Sequence, residues 1–412
     1  MVVFQALTWE ARDGEDEHLI SIFGKTEDGK SVCLTTAFTP YFFIKLPTGI
    51  DSQKVQRIYN ILGDKCKDSL VAYSLMKSKD VWGFQNNEEF AFMKINFKDL
   101  QARRLVDSFL RRPLDRTPEL FELLGVRNVK VYESNLDPVL RLMHRTGIQS
   151  TGWLDSGEKC VRSHLANVDI DLFCNDWTTL KPVARDDIAP FVVASVDIEC
   201  NSSTGKFPDA NIPGDACFQI AISLCKFGSD EPYDKTCLCY KQTDPNLEGC
   251  DIRSYATERE MLEAFQKYLH KKDVDIITGW NIFGFDMEYI YKRAQINRCH
   301  YDFYNLGKLK DVDSQLVIKK LSSSALGDNL LKLLPMSGRF IFDLFHEVKK
   351  GYKLDSYKLD SVSKLYLGDQ KIDMTPKEMF ARYRDGDPVK LKEVAEYCIK
   401  DTLLCNFFQL YR

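Results

Sequence analysis

In 412 residues there is no apolar run approaching the ~20 that cross a bilayer, so a conventional membrane-spanning helix is excluded. No CxxC pair occurs. The 13 cysteines and six histidines are scattered, without the spacing of a zinc site. A glycine-rich phosphate loop, a dinucleotide fingerprint and a nucleophile elbow built on Ser or Cys are also missing. Their absence argues against P-loop hydrolysis, hydride transfer and acyl-enzyme chemistry. The start, "MVVFQALTWEARDG", has neither a basic segment nor a small-residue cleavage site and does not read as a secretory signal. No charge sign dominates. A net charge of -4 argues against a general polyanion binder, while a local basic groove would still serve for phosphate contacts. Reduced thiols in an intracellular protein account for the cysteines.

What is present is ordinary in bulk, with 44% hydrophobic and 28% charged residues, and long enough for two or three domains. Residues 1–185 read as a mixed α+β region. "HLISIFGKTEDGKSVCLTT" is a hairpin turning at Asp28 and Gly29, and "PYFFIKLP" is a strand bracketed by prolines. "DSQKVQRIYNILGDKC" and "DLQARRLVDSFLRR" are amphipathic helices. Phe42 and Phe43 could stack on bases, but alternating strands bury such residues routinely. The basic stretches Arg103 to Arg116 and Lys349 to Leu359 could meet phosphates or be solvated faces.

Asn175 to Phe191 is polar, carries two prolines and reads as a linker. From 186 to 412 the pattern becomes α/β. Three strands, "PFVVASVDIEC", "CFQIAISLCKF" and "KTCLCYKQ", precede a helix, "TEREMLEAFQKYLHKK", opened by Thr257 and Glu260 in capping-box spacing. "VDIITGWN" is a fourth strand and "DMEYIYKRAQI" a helix. Residues 306–340 look like a hairpin-bearing insertion. "GRFIFDLFHEVKK" then runs from strand into helix, and a long amphipathic helix closes the chain. Three strands and a helix crossing to a fourth is the order of an RNase H-like sheet, the α/β fold class expected here.

Within this frame, three short segments hold four carboxylates and a tyrosine. Asp197 and Glu199 stand two apart on a strand, so both leave one face. Asp286 follows a strand and opens a helix, where it could serve chemistry or simply cap the helix. Asn281 and Phe285 flank that turn; the amide could bond backbone or substrate, and the ring could pack under a terminal base. Tyr397 and Asp401 stand one helical turn apart, as a site pair or as a surface pair. Four such carboxylates can hold two divalent ions about 3.5–4 Å apart, the arrangement that hydrolyses phosphodiesters. Oxygen ligands suit Mg²⁺ or Mn²⁺. Asp343 reads as a cap or structural contact.

"DIE", "NIFGFD" and "YCIKD" together resemble the three exonuclease motifs of family B DNA polymerases in their Tyr-containing form. "KSVCLTTAFTPYFFIKLP", "YESNLDPVLRLMHRTGIQSTGW" and "YKLDSYKLDSVSKLYLGDQKIDM" are similar to stretches of the delta-type polymerases of eukaryotes and large DNA viruses. The resemblance implies a 3′→5′ proofreading exonuclease of residues 186–412 behind an N-terminal domain of polymerase type, 1–185. It implies two Mg²⁺ or Mn²⁺ ions, with Asp197, Glu199 and Asp401 on the water-activating ion. Asp197 would bridge to the second ion, and Asp286 would bind near it through water. Tyr397 would orient the attacking water, and Asn281 and Phe285 would hold a frayed 3′ end. The implied partners are single-stranded or primer-template DNA and, in a full polymerase, a sliding clamp and accessory subunits, without membrane. The implied setting is the nucleus or a viral replication compartment. No polymerase motif such as "SLYPS" or "DTDS" occurs, so the chain is expected to be the N-terminal part of a polymerase. A non-catalytic scaffold holding DNA or protein partners is the alternative; loss of a carboxylate would mark it, and all four are present.

Overall fold

The computed structural model describes residues 1–66, 69–114, 117–229, 231–323, 327–369 and 371–408. The predicted hairpin forms from His18–Lys25 and Ser31–Ala37, closing at Lys25 opposite Ser31. Gly29 turns it at φ 85°, a conformation costly to residues with a Cβ. These strands lie at the centre of a seven-stranded sheet with Val3–Asp13 on one side and Ile170–Cys174 on the other. The expected linker is partly built into it. Lys181–Val183 pairs antiparallel with Trp153–Asp155 as an edge strand, a position in which Pro182 is tolerated.

A second, four-stranded antiparallel sheet runs in the order Leu70–Lys79, Glu89–Phe97, Tyr41–Lys45, Val131–Tyr132. The two predicted helices, Ser52–Gly63 and Leu100–Leu110, are capped by Asp51 and Asp99 accepting from backbone N–H groups. Their apolar faces contribute Val55, Ile58 and Val106 to a core shared with Phe42, Ile44 and Ile95. Phe42 is fully buried against Phe97, so it packs the core. Phe43 is half-buried.

The third layer is a six-stranded sheet ordered Asp251–Tyr255, Asp234–Tyr240, Cys217–Lys226, Val192–Cys200, Ile276–Thr278, Phe340–Ile341. Val192–Cys200, Cys217–Lys226 and Asp234–Tyr240 are antiparallel, and Ile276–Thr278 then joins Val192–Cys200 in parallel, as the strand order predicted. The helix between them, Glu258–Lys271, opens with the expected capping box of Thr257 and Glu260. Asp251–Tyr255 is a parallel edge strand that sequence reading missed. Helices Glu258–Lys271 and Asp286–Ile296 cover one face through Met261, Phe265, Met287 and Ile290. The long helix Pro388–Phe408 covers the other through Ala395, Cys398 and Ile399, against Ala221, Cys237 and Cys239. The expected insertion is a hairpin of Val317–Ser323 and Gly327–Leu333.

Two buried lysines meet at one acid: Lys25 ties this layer to the N-terminal sheet, and Lys308 braces the same carboxylates from within its own half of the chain. Lys25 Nζ lies 2.5 Å from Asp275 Oδ2 and 3.2 Å from Asp273. Lys308 Nζ lies 2.5 Å from the other Asp275 oxygen and 2.9 Å from Asp273. Asp275 Oδ2 also accepts from the Val192 N–H at 2.8 Å, so the acid anchors the start of the central strand.

Candidate active site

Val192–Cys200 alternates strictly. Val196 and Ile198 turn into the core, while Asp197 and Glu199 leave on the face that the long C-terminal helix covers. Contact is close there: the Cys398 thiol donates to Asp197 Oδ2 at 3.5 Å and to the Asp197 carbonyl at 3.6 Å. Tyr397 and Asp401, one turn apart on that helix, are thereby aimed at the same strand.

Asp286 reaches the cluster from the turn after Ile276–Thr278. Gly279 lets that turn lie against the central strand, since a Cβ there would stand 2.4 Å from the Val196 carbonyl. Capping does not explain Asp286. Phe285 occupies the N-cap position, and Asp286 is the first helical residue. Asp343 is structural, as expected. It caps its own helix at the Phe345 N–H and holds the turn through the Asn281 N–H at 2.8 Å and the Phe283 N–H at 2.9 Å. Asn281 adopts φ 62° in that turn.

Electrostatics mark the cluster. Burial, followed by the charges of Asp197 and Asp401, drives Glu199 well above the usual carboxylate range. Burial and then Asp197 do the same to Asp286. Asp197 is raised by burial, with Lys371 opposing. Asp401 is pushed up to about 7 by burial and then by Asp197. The Tyr397 phenol is raised by burial and then by Asp401, so it stays protonated at neutral pH.

Lys371 is the residue sequence reasoning missed. Its ammonium pairs with Asp401 Oδ2 and donates to the Tyr397 hydroxyl at 3.2 Å. Burial works against that charge, but Asp401 and Asp197 outweigh it and hold the ammonium protonated. No local pattern flags a lysine 26 and 30 residues ahead of its partners.

The residues fit divalent cations. Ligand atoms of Asp197, Glu199 and Cys398 lie within 4.8 Å of one another. Asp401 Oδ1 is buried without a hydrogen-bond partner among the described residues. Four buried carboxylates, three of them raised by the charge of Asp197, are a natural seat for cations that prefer oxygen.

Beside them opens a cavity of about 660 Å³, with Glu199 and Tyr397 among its walls and Phe207, Phe285, Met379 and Phe380 supplying apolar surface. Phe207 is 77% exposed and meets Phe285 edge-on at 5.2 Å. Lys206 and Lys377 also line it. Asn281 is not among its walls. Of the basic stretch at 103–116, Arg103 is buried, donating to the Leu136 carbonyl, and Arg111 pairs with Asp107. Residues 115 and 116 lie outside the described residues.

Residues 129–362 match the family "DNA polymerase family B, exonuclease domain"; Tyr397 and Asp401 lie beyond that segment. The chain is 30% identical over 413 residues to a DNA polymerase of Paramecium bursaria Chlorella virus NY2A, covering 97% of this chain and 43% of the relative. It is 28% identical to the DNA polymerase delta catalytic subunit of Schizosaccharomyces pombe, covering 93% and 36%. Among solved structures, the family B DNA polymerase of the archaeon Pyrobaculum calidifontis has the same fold at TM-score 0.65 and 17% identity, over 99% of this chain and 45% of that one. The chain thus spans less than half the length of these relatives.

Proposed function

Because the chain belongs to the family B DNA polymerases by way of their exonuclease domain, we propose that it is the proofreading portion of a replicative polymerase. It removes nucleoside 5′-monophosphates from a single-stranded or frayed 3′ end. The observation that carries this reading is the convergence of Asp197, Glu199, Tyr397 and Asp401, from one strand and one helix, with the wall of an aromatic-lined cavity. The proposal divides the chain at 185/186. The pairing of Lys181–Val183 with the N-terminal sheet, and of Val192–Cys200 with the six-stranded sheet, supports that division.

Asp197, Glu199 and Asp401 would hold one Mg²⁺ or Mn²⁺, and Asp197 with Asp286 a second. When bound, the pair supplies water activation and charge stabilisation at the leaving oxygen. The rest falls to the protein. Tyr397, its oxygen accepting from Lys371, keeps its O–H free to orient a water toward phosphorus. Lys371 neutralises Asp401 and lowers the repulsion among the carboxylates. Phe285 and Phe207 offer apolar faces to the terminal base, and Lys206 and Lys377 offer charge to the phosphates. Asn281 holds the turn that carries Phe285. DNA is the substrate. A sliding clamp, accessory subunits and a nuclear or viral replication setting belong to the same reading; no helix among the described residues is long and apolar enough to cross a membrane.

Digestion of 5′-labelled single-stranded DNA tests it. Mg²⁺-dependent shortening from the 3′ end is expected, and Asp197→Ala or Asp401→Ala should abolish it while the fold persists. Full activity in either variant would sink the assignment. Tyr397→Phe should cost less, up to roughly 10²-fold, because only positioning is lost.

A further inference from the structure

We propose that Cys160 and Cys174 form a dithiol that peroxide closes into a cross-strand disulfide, fastening the segment between them. The reading is independent of the carboxylate cluster. The two residues stand directly opposite each other where Cys160–Arg162 pairs antiparallel with Ile170–Cys174. Along that ladder the Asn175 N–H reaches the Lys159 carbonyl at 3.1 Å, and the Ser163 N–H the Asp171 carbonyl at 2.9 Å. Hydrogen-bonded pairs alternate with non-bonded ones, so Cys160 and Cys174 fall at a non-bonded position. Cα atoms there stand about 4.5 Å apart and side chains are nearest. That spacing lies within the roughly 4.4–6.8 Å that a disulfide spans, and both side chains leave one face. Cys160 is half-buried and Cys174 buried, so one sulfur meets solvent and the other waits behind it. Other neighbouring cysteines lack that access. Cys237 and Cys239, with sulfurs 3.6 Å apart, are fully buried, and Cys200 opposite Cys217 is closed in as well.

Hydrogen bonding between the two thiols lowers Cys174 to about 6 against the effect of burial, and the same contact, followed by burial, raises Cys160. Peroxide reaches the outer sulfur. A Cys160 S–O bond forms as the O–O bond breaks, giving a sulfenic acid and, with the thiol's proton, water. The Cys174 thiolate then attacks that sulfur; the S–S bond forms, and hydroxide leaves and takes up a proton. Two thiols give up two electrons and two protons, and one peroxide becomes two waters. The bond holds a strap. Residues 163–169, between the two strands, lean on the half of the chain that carries the six-stranded sheet. The Asn167 N–H donates to the Lys308 carbonyl at 2.7 Å, the Lys310 N–H donates to the Leu165 carbonyl at 2.9 Å, and Ala166 bridges Leu309. Lys308 is the lysine paired with Asp275, and Ala166 and Leu309 pack with Phe23 and Cys33. Closing a loop of about 15 residues limits the states into which this strap can open.

Hydrogen peroxide is the probe. The full chain is titrated with it, remaining thiols are blocked, and unreduced tryptic peptides are read by mass spectrometry. A peptide ending at Arg162 joined to one beginning at Ser163 should appear before any other cysteine pair is linked, and dithiothreitol should undo it. Hydrogen exchange across residues 163–169 should slow at least about tenfold on oxidation and recover on reduction. Cys160→Ser, with wild-type circular dichroism, should lose both the link and the slowing. Absence of the link, its formation only after other cysteines have reacted, or a link without slowed exchange each overturns the proposal. All three are read on the wild-type chain, so a Cys160→Ser chain that fails to fold leaves the test standing.

Discussion

Replacing Arg293 with Met should destabilise the protein by about 3–5 kcal/mol, the cost of removing one partner from a buried ion pair. The guanidinium is 2% exposed and all five of its N–H groups are used. Nε donates to Glu258 Oε1 at 2.7 Å and Nη2 to Oε2 at 2.5 Å. The remaining three reach the carbonyls of Ala210 at 3.1 Å, Ile212 at 2.9 Å and Pro213 at 3.2 Å. Met keeps much of the volume, so the loss falls on polar groups. Glu258, 5% exposed, would retain the Cys217 N–H at 2.9 Å and a buried charge. The three carbonyls belong to the loop that carries Phe207, and they can turn to water at smaller cost. Urea unfolding followed by fluorescence, with coincident circular dichroism as the check on a single transition, reads the change. Arg293→Met with Glu258→Met should recover most of it, because two uncharged chains replace a stranded acid. The single variant should also raise KM for single-stranded DNA by loosening the loop, leaving cation binding alone. A loss under about 1 kcal/mol, or a double variant no better than the sum, would refute this account of the clamp.

Three further outcomes follow from the site. Asp401 titrates at about 7 in the fold against an ordinary 3.8, so between those values the folded state holds the extra proton and stability without divalent cations falls as pH rises. Melting in chelator from pH 4 to 7 should show that fall flattened in Asp401→Asn; an unaltered slope speaks against the shift. Lys371→Met leaves the acids unopposed and should slow digestion by roughly 10²–10³-fold, the scale of losing one preorganised charge; wild-type rates would show the ammonium to be a bystander. Phe207→Ala should raise KM with little change in kcat, and a kcat effect alone would contradict a base-holding role.

What the sequence made legible follows from periodicity. Asp197 and Glu199 could be placed on one face because a strand repeats every two residues, and Tyr397 and Asp401 because a helix brings fourth neighbours together. Caps were readable at Thr257 because the bond is local. Lys371 and Cys398 were not, since their partners are set by how a helix docks on a strand. Cys398 lay inside a motif already marked for its neighbours, and Lys371 in a stretch noted only for its likeness to polymerases. Asp251–Tyr255 escaped because five largely polar residues at an edge give little alternation. Lys181–Val183 read as linker because pairing through Pro182 depends on a strand 26 residues away.

The ion pair between the layers has a consequence for synthesis. Lys25 precedes Asp275 by 250 residues. At about 5–20 residues per second, a ribosome would take roughly 12–50 s to supply the acid after the base. Until then the ammonium must stay hydrated at the end of a strand that finishes buried, and the N-terminal sheet cannot close over it. Lys308 emerges last of the set, so the cluster around Asp275 is completed only after residue 308 has been made. A nascent chain halted before Asp275 should leave Lys25 open to amine-reactive label, and one halted after Lys308 has cleared the exit tunnel should protect it.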